Sequence, residues 1–130
     1  MNALTLTVPA LQRWALALRT TAGAAGAMAG LSLDLIDDLR IAIDEAFDLL
    51  THQSQPLESV TMTCSPGDKA LNIALSAKRA LTGPTCKPAD PETARLLIGT
   101  LVADIHLEGD CCGVHSVVMS LPLCGVGYGC

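Results

Sequence analysis

The segment Leu31–Leu50 constrains the fold more than any other part of this chain, because it predicts one long amphipathic helix. Ser32 is placed to cap the first turn, and Asp34 follows where the helix dipole favours negative charge. Apolar residues recur at intervals of three and four, which puts them on one side of the helix: Leu35, Ile36, Leu39, Ile43, Ala46, Phe47 and Leu50. This side is expected to face a core.

The opposite flank of the helix is acidic, with Arg40 as its only internal cation. Its carboxylates are Asp34, Asp37, Asp38, Asp44, Glu45 and Asp48. The ordinary interpretation of such a stripe is a solvated helix face. Glu45 stands apart because of the residues that surround it.

Two more helices and five strands are predicted from the rest of the chain. They are a strand at Leu4–Val8, a helix from about Ala10 to Met28 ended by Gly30, a hairpin of Val60–Cys64 and Leu71–Leu75, a helix that starts at Pro91 with an apolar stripe reaching Val102, and a hairpin of Ile105–Leu107 and Val114–Leu123. Residues 78–91 and the tail 124–130 are expected to be irregular.

The order β-α-α-β-β-α-β-β predicts one domain over residues 1–130. Its fold class is α/β (α+β), a two-layer sandwich with helices packed on one face of a mixed β-sheet. In the first helix, the residues predicted to point inward are Leu11, Leu16, Leu18 and Ala22. Gly23 and Gly26 give that helix a face of small residues, which predicts either tight helix packing or a dimer seam.

Composition excludes several classes of function. A net charge of −5 and only three aromatic residues argue against nucleic-acid binding, which needs cations and stacking platforms. No uninterrupted apolar stretch reaches the length of a membrane span, so no membrane contact is expected. The first residues alternate rather than forming the continuous apolar core of a signal peptide, and a cytoplasmic protein is therefore expected.

Six cysteines are distributed without the two-residue spacing of common zinc sites: Cys64, Cys86, Cys111, Cys112, Cys124 and Cys130. Three interpretations stay open. They are free thiols, a redox-responsive pair, and a metal site that combines Cys111 and Cys112 with His115, with His106 as an additional candidate, and with Cys124 or Cys130 of the tail. In the cytosol the thiols are expected to be reduced.

The phrase from Ile36 to Ala46, IDDLRIAIDEA, resembles the N-box helix of the bacterial anti-sigma-factor serine kinases. These belong to the GHKL class, the histidine-kinase-type ATPase fold. The resemblance extends over roughly residues 3–123 and includes Gly30, the hairpin lengths and the helix with Leu97, Ile98, Leu101 and Val102. It implies the family's fold, and it implies that Glu45 occupies the position of the base for phosphoryl transfer.

Three parts of the family's nucleotide pocket are changed. Leu49 replaces the asparagine that holds magnesium, and leucine offers no oxygen to a hard cation. Ala77, Lys78 and Arg79 replace the aspartate-any-glycine motif that binds adenine. Glu92, Thr93 and Ala94 replace a glycine-any-glycine turn that cradles phosphates. Glu45 is therefore interpreted as a vestigial base, and no bound cofactor or metal is expected.

The resemblance then predicts a regulatory protein that acts by protein–protein binding, with nucleotide binding and kinase activity lost. The implied partners are a sigma factor or an antagonist-like protein, and a homodimer is expected. One alternative is a divergent serine/threonine kinase that binds ATP and magnesium, with Asp48 as a substitute ligand, and phosphorylates an antagonist. Another is a small-molecule or metal sensor in the vacated pocket beside Leu49 and Ala77.

Overall fold

The computed structural model describes residues 3–123, which form five strands and three helices. The elements are β1 (Leu4–Pro9), a short 3₁₀ turn (Gln12–Trp14), α1 (Ala15–Ala29), α2 (Leu33–Thr51), β2 (Leu57–Pro66), β3 (Ala70–Arg79), α3 (Pro91–Gly99), β4 (Asp104–Asp110) and β5 (Gly113–Pro122). The predicted order of elements is confirmed. The tail 124–130, for which an irregular structure was predicted, lies outside the described residues.

The five strands form one open sheet in the order β1-β2-β3-β5-β4. All four pairings are antiparallel, whereas a mixed sheet was expected. The reason lies in the last hairpin. The connection through α3 delivers β4 to the edge of the sheet, and β5 then turns back and fills the place beside β3. The α+β class and the two-layer arrangement are confirmed.

The sheet is apolar on one face and polar on the other. Alternate residues of the strands are buried towards the helices, as the period of two requires: Val8, Val60, Met62, Cys64, Leu71, Ile73, Leu75, Val117, Met119 and Leu121. The helices cover that face with residues such as Leu18, Leu39, Phe47 and Ile98. No helix of the described part is long and apolar enough to cross a membrane.

Helix α1 begins later than predicted and packs tightly on α2. Leu11 is extended and exposed, and Leu16 is also exposed, so the prediction that these two point inward was wrong. The helix starts at Ala15 because Pro9 ends β1 instead of opening the helix. Its buried stripe is Ala15, Leu18, Ala22 and Gly26. The small-residue face packs against side chains of the same chain, since a Cβ at Gly26 would lie 3.0 Å from Leu31 Cδ1.

Candidate functional site

Three of the predicted nucleotide-pocket positions, Glu45, Leu49 and Ala77, line neither of the two clefts that residues 3–123 form beside the sheet. Glu45 is half-buried on α2. Leu49, at the predicted magnesium position, is 2 % exposed and is part of the core. Ala77 is half-buried on β3, opposite Val60 of β2. An aliphatic side chain in the core thus occupies the position predicted for the magnesium ligand.

The N-terminus of α3, the predicted phosphate position, is capped by the chain's own carboxylate. Asp90 Oδ1 accepts a hydrogen bond from the Glu92 amide at 3.2 Å, and Oδ2 accepts one from Thr93 Oγ1 at 2.7 Å. The Thr93 hydroxyl and the Glu92 amide together hold the pKa of Asp90 below its usual value. Glu92 itself is exposed and lies 3.4 Å from Arg95 Nε, while Ala94 is half-buried. A phosphate at this helix end would meet two carboxylates.

Arg79, expected near adenine, instead joins three parts of the fold. Its guanidinium makes a two-pronged contact with Asp110, with Nη1 and Nη2 each 2.8 Å from a carboxylate oxygen. Its Nε donates to Gln53 Oε1 at 3.0 Å. The fork keeps the pKa of Asp110 far below its ordinary value and raises that of Arg79, mainly through these hydrogen bonds. Sequence reasoning picked out Arg79 but missed both of its partners.

Gln53 is the buried polar residue on which this arrangement depends. It is 1 % exposed, and its Nε2 donates to Leu50 O at 2.9 Å and to Val114 O at 2.7 Å. Both ends of the amide are therefore satisfied, as burial demands. Gln53 connects the end of α2, the start of β5 and, through Arg79, the end of β3. Nothing in the sequence distinguishes this glutamine from Gln55 nearby.

The turn between β4 and β5 carries two adjacent cysteines. Asp110 Oδ1 accepts a hydrogen bond from the Cys112 amide at 2.9 Å, which closes the turn. Gly113 has φ 137°, and a Cβ there would lie 3.0 Å from Gln53 Cγ, so the turn needs glycine at this point. The flanking glycines of Gly109-Asp-Cys-Cys-Gly113 were the one sequence signal for this geometry.

The two thiols of the turn differ in environment. The sulfurs of Cys111 and Cys112 are 3.7 Å apart, and Gln55 Nε2 lies 3.7 Å from Cys112 Sγ. Hydrogen bonding from Ser54, Gln55 and Cys111 lowers the pKa of Cys112. The pKa of Cys111 is raised, first by its hydrogen bond with Cys112. The half-buried Cys112 is therefore the more readily ionised thiol of the pair.

The structure assembles a different set of possible metal ligands from the predicted one. Within residues 3–123, ligand atoms of Asp110, Cys111 and Cys112 lie within 4.8 Å of one another. The two histidines predicted as ligands, His106 and His115, are not part of this group. His106 Nε2 instead lies 3.3 Å from Glu108. The Asp110 oxygens are already bound by Arg79. Cys124 and Cys130, the other predicted ligands, fall outside the described residues.

Residues 3–123 form, among others, two clefts beside the sheet. The smaller cleft, about 340 Å³, lies beside the turn of residues 110–113 between β4 and β5, which we call the thiol turn. It is lined by residues that include Glu92, Arg95, Asp110 and Cys111. The larger, about 580 Å³, lies between α1 and the adjoining strand ends, and is lined by residues that include Leu4, Met28, Cys64 and Leu71. Burial raises the pKa of the Cys64 thiol to about 11, so this thiol stays protonated at neutral pH.

Of the predicted pocket positions, the smaller cleft contains Glu92 alone, and neither cleft is lined by Glu45, Leu49 or Ala77. The sequence matches none of the protein-family models and none of the curated proteins with which it was compared.

Proposed function

We propose that this chain is a regulatory domain that binds another protein and does so without nucleotide. Three features support the second half of the proposal. Leu49 belongs to the core, and the end of α3 is already capped by Asp90. In addition, Asp48, the substitute ligand of the kinase alternative, is exposed and lies 3.5 Å from His52 Nδ1. A magnesium–phosphate group would meet an aliphatic side chain at position 49 and a helix end of α3 that is already capped.

The observation that carries the binding role is the outer strip of α2, which consists of Leu33, Asp34, Asp37 and Ile41. Leu33 is 80 % exposed and Ile41 49 % exposed, and the two aspartates are exposed beside them. Residues three and four apart share one helix face, so the strip is continuous. Within residues 3–123, Asp34 and Asp37 take part in no ion pair, whereas Asp44 of the same helix is bonded to Arg19 at 2.8 Å.

A strip that alternates exposed aliphatic groups with carboxylates fits a partner segment of the opposite charge. The partner chemistry is a protein surface or helix on which lysine or arginine accompanies apolar side chains. The net charge of −5 would speed the encounter at low ionic strength. The family resemblance adds the candidates: a sigma factor or an antagonist-like protein. A homodimer remains part of the proposal. Because Gly23 and Gly26 of α1 lie against side chains of α2, we do not place its seam on this face.

Charge reversal on the outer strip tests this function. Binding to purified sigma factors and antagonist proteins of the same genome would be measured by titration calorimetry at two salt concentrations. Asp37→Lys is expected to weaken binding at least tenfold, about 1.4 kcal/mol. The matched control is Asp68→Lys, the same change at an exposed site in the β2–β3 turn, and it should alter affinity less than twofold. Equal effects of the two variants, or binding to none of these proteins, would refute the proposal.

A further inference from the structure

The thiol turn has the geometry of a reactive pair. The two sulfurs are 3.7 Å apart, and the turn that holds them is fixed by the Asp110 contact to the Cys112 amide. Cys111 is exposed at the smaller cleft, so a small molecule can reach the pair from solvent. Ser54 N donates to Cys112 O at 2.9 Å, which anchors the turn to the segment after α2.

The surroundings of the pair favour a nucleophilic thiolate over a metal site. Gln55 Nε2 is placed to donate to Cys112 Sγ, and donors of this kind stabilise the anionic form of sulfur. A metal would have to compete with the Arg79 guanidinium, which binds both Asp110 oxygens at 2.8 Å and places a positive charge beside the site. A neutral oxidant meets no such repulsion.

We propose that Cys111 and Cys112 form a hydroperoxide-sensitive switch in which Cys112 is oxidised first and Cys111 then closes a disulfide between the two adjacent residues. The Cys112 thiolate sulfur attacks one oxygen of the hydroperoxide. An S–O bond forms, the O–O bond breaks, and the departing oxygen takes up a proton as an alcohol or water. The Cys111 sulfur then attacks the Cys112 sulfur, the S–O bond breaks, and the hydroxyl leaves as water with the Cys111 proton. The sulfurs lose two electrons and the peroxide gains two.

The geometry assigns the second thiol to Cys111 rather than to Cys86. Cys86 N donates to Gln53 O at 2.8 Å, while Ser54 N donates to Cys112 O. The Gln53 C=O and the Ser54 N–H belong to one trans peptide and point in opposite directions. The backbones of Cys86 and Cys112 therefore lie on opposite sides of that peptide, about 10 Å apart, a separation of two strand spacings. Disulfides require Cα atoms within about 7 Å.

The product is expected to be easily reduced. Adjacent Cα atoms are about 3.8 Å apart, closer than the 4.4 Å or more of ordinary disulfides, and strained disulfides are the labile ones. Closing the ring would also disturb the turn that holds Asp110 against Arg79. A change in the oxidation state of the pair would therefore alter the contacts among β3, β5 and the end of α2.

Stoichiometric hydrogen peroxide tests the switch on the reduced full chain. Cleavage after Glu108 and at Met119 releases residues 109–119, which contain only these two cysteines. The expected result is a loss of about 2 Da in this fragment, reversed by dithiothreitol. Cys111→Ser should stop at the sulfenic acid, trapped by dimedone on Cys112, and Cys86→Ser is the matched control that should behave as wild type.

Two results would overturn the proposal. One is an unchanged fragment mass under peroxide that oxidises other thiols of the chain. The other is dimedone labelling of Cys111 in preference to Cys112 in the single variants Cys112→Ser and Cys111→Ser. Because the measurement involves no partner protein, its failure leaves the binding role of α2 unaffected.

Discussion

At the scale of single residues, Gln53 and Arg79 organise the region where α2, β3 and β5 end. The Gln53 amide donates to two carbonyls and accepts from Arg79, and Arg79 in turn holds Asp110. Every polar atom of the buried amide has a partner, so the arrangement stabilises one conformation. The thiol turn derives its position from it, since Asp110 bonds both Arg79 and the Cys112 amide.

Replacement of Gln53 measures how much these hydrogen bonds contribute to the free energy of unfolding. Gln53→Ala removes both donated hydrogen bonds and leaves Arg79 Nε without its acceptor, so the free energy of unfolding should fall by about 1–3 kcal/mol. Urea denaturation would measure the change. The control is Gln55→Ala, at an exposed residue two positions along, which should change stability by about 0.5 kcal/mol or less. Similar losses in the two variants would contradict the role given to Gln53.

These residues show where sequence reasoning stops. Arg79 and Asp110 are 31 positions apart and Gln53 and Val114 are 61 apart, so no local pattern relates them. Arg79 attracted attention only as a substitution in a family motif. The glycines around Asp110 predicted a turn, but which cation it would meet depended on how β3 and β5 pair.

At the scale of elements, the α1–α2 pair shows how small residues set a helix contact. Ala22 is fully buried, and a Cβ at Gly23 would lie 3.4 Å from Arg40 Cδ. Gly30, with φ 93°, ends α1 and allows the chain to reverse into α2. The periodicity of α2 predicted its core side correctly, since apolar residues that recur at intervals of three and four, such as Leu39, Ile43 and Phe47, are buried, but it did not predict that Leu49 is buried as well. In helix α1, which is rich in alanine and shows less contrast, Leu18 and Ala22 are buried as predicted, whereas the start of the helix and the inward positions of Leu11 and Leu16 were mispredicted.

A larger side chain in this contact should destabilise the fold. Ala22→Leu adds three carbons where there is no space, and the free energy of unfolding is expected to fall by about 1–3 kcal/mol. Ala27→Leu makes the same change in helix propensity at an exposed position of α1, and its effect should stay within about 0.5 kcal/mol. Thermal or urea denaturation of both variants decides the matter, and equal stability would show that the contact is looser than described.

At the scale of the whole molecule, one face of an antiparallel sheet is covered by three helices, and the places of the predicted nucleotide pocket are filled from within. Leu49 lies in the core and Asp90 caps α3. Among residues 3–123, the features that face solvent include the outer strip of α2, the two clefts and the thiol turn. We propose the outer strip of α2 as the surface for a partner and the thiol turn as the site for an oxidant.

Added nucleotide should leave the stability of the molecule unchanged. A ligand present at one hundred times its dissociation constant adds about 2.7 kcal/mol to the free energy of unfolding. We expect no rise in the unfolding midpoint with millimolar ATP or ADP and magnesium, measured by thermal denaturation against the same salts without nucleotide. A clear rise that disappears in Glu45→Ala would support the kinase alternative instead.

The sequence alone was sufficient to predict the identity and order of the elements, because hydrophobic periodicity, proline and glycine positions and turn residues act over a few neighbouring residues. It determined that α2 would bury one side and expose an acidic one. Three results emerged from the packed fold: the sheet is antiparallel throughout, Leu49 lies in the core, and Gln53, Arg79 and Asp110 meet beside two thiols. Those outcomes depend on which strands become neighbours, a choice made by the energy of the whole packed molecule rather than by any local segment.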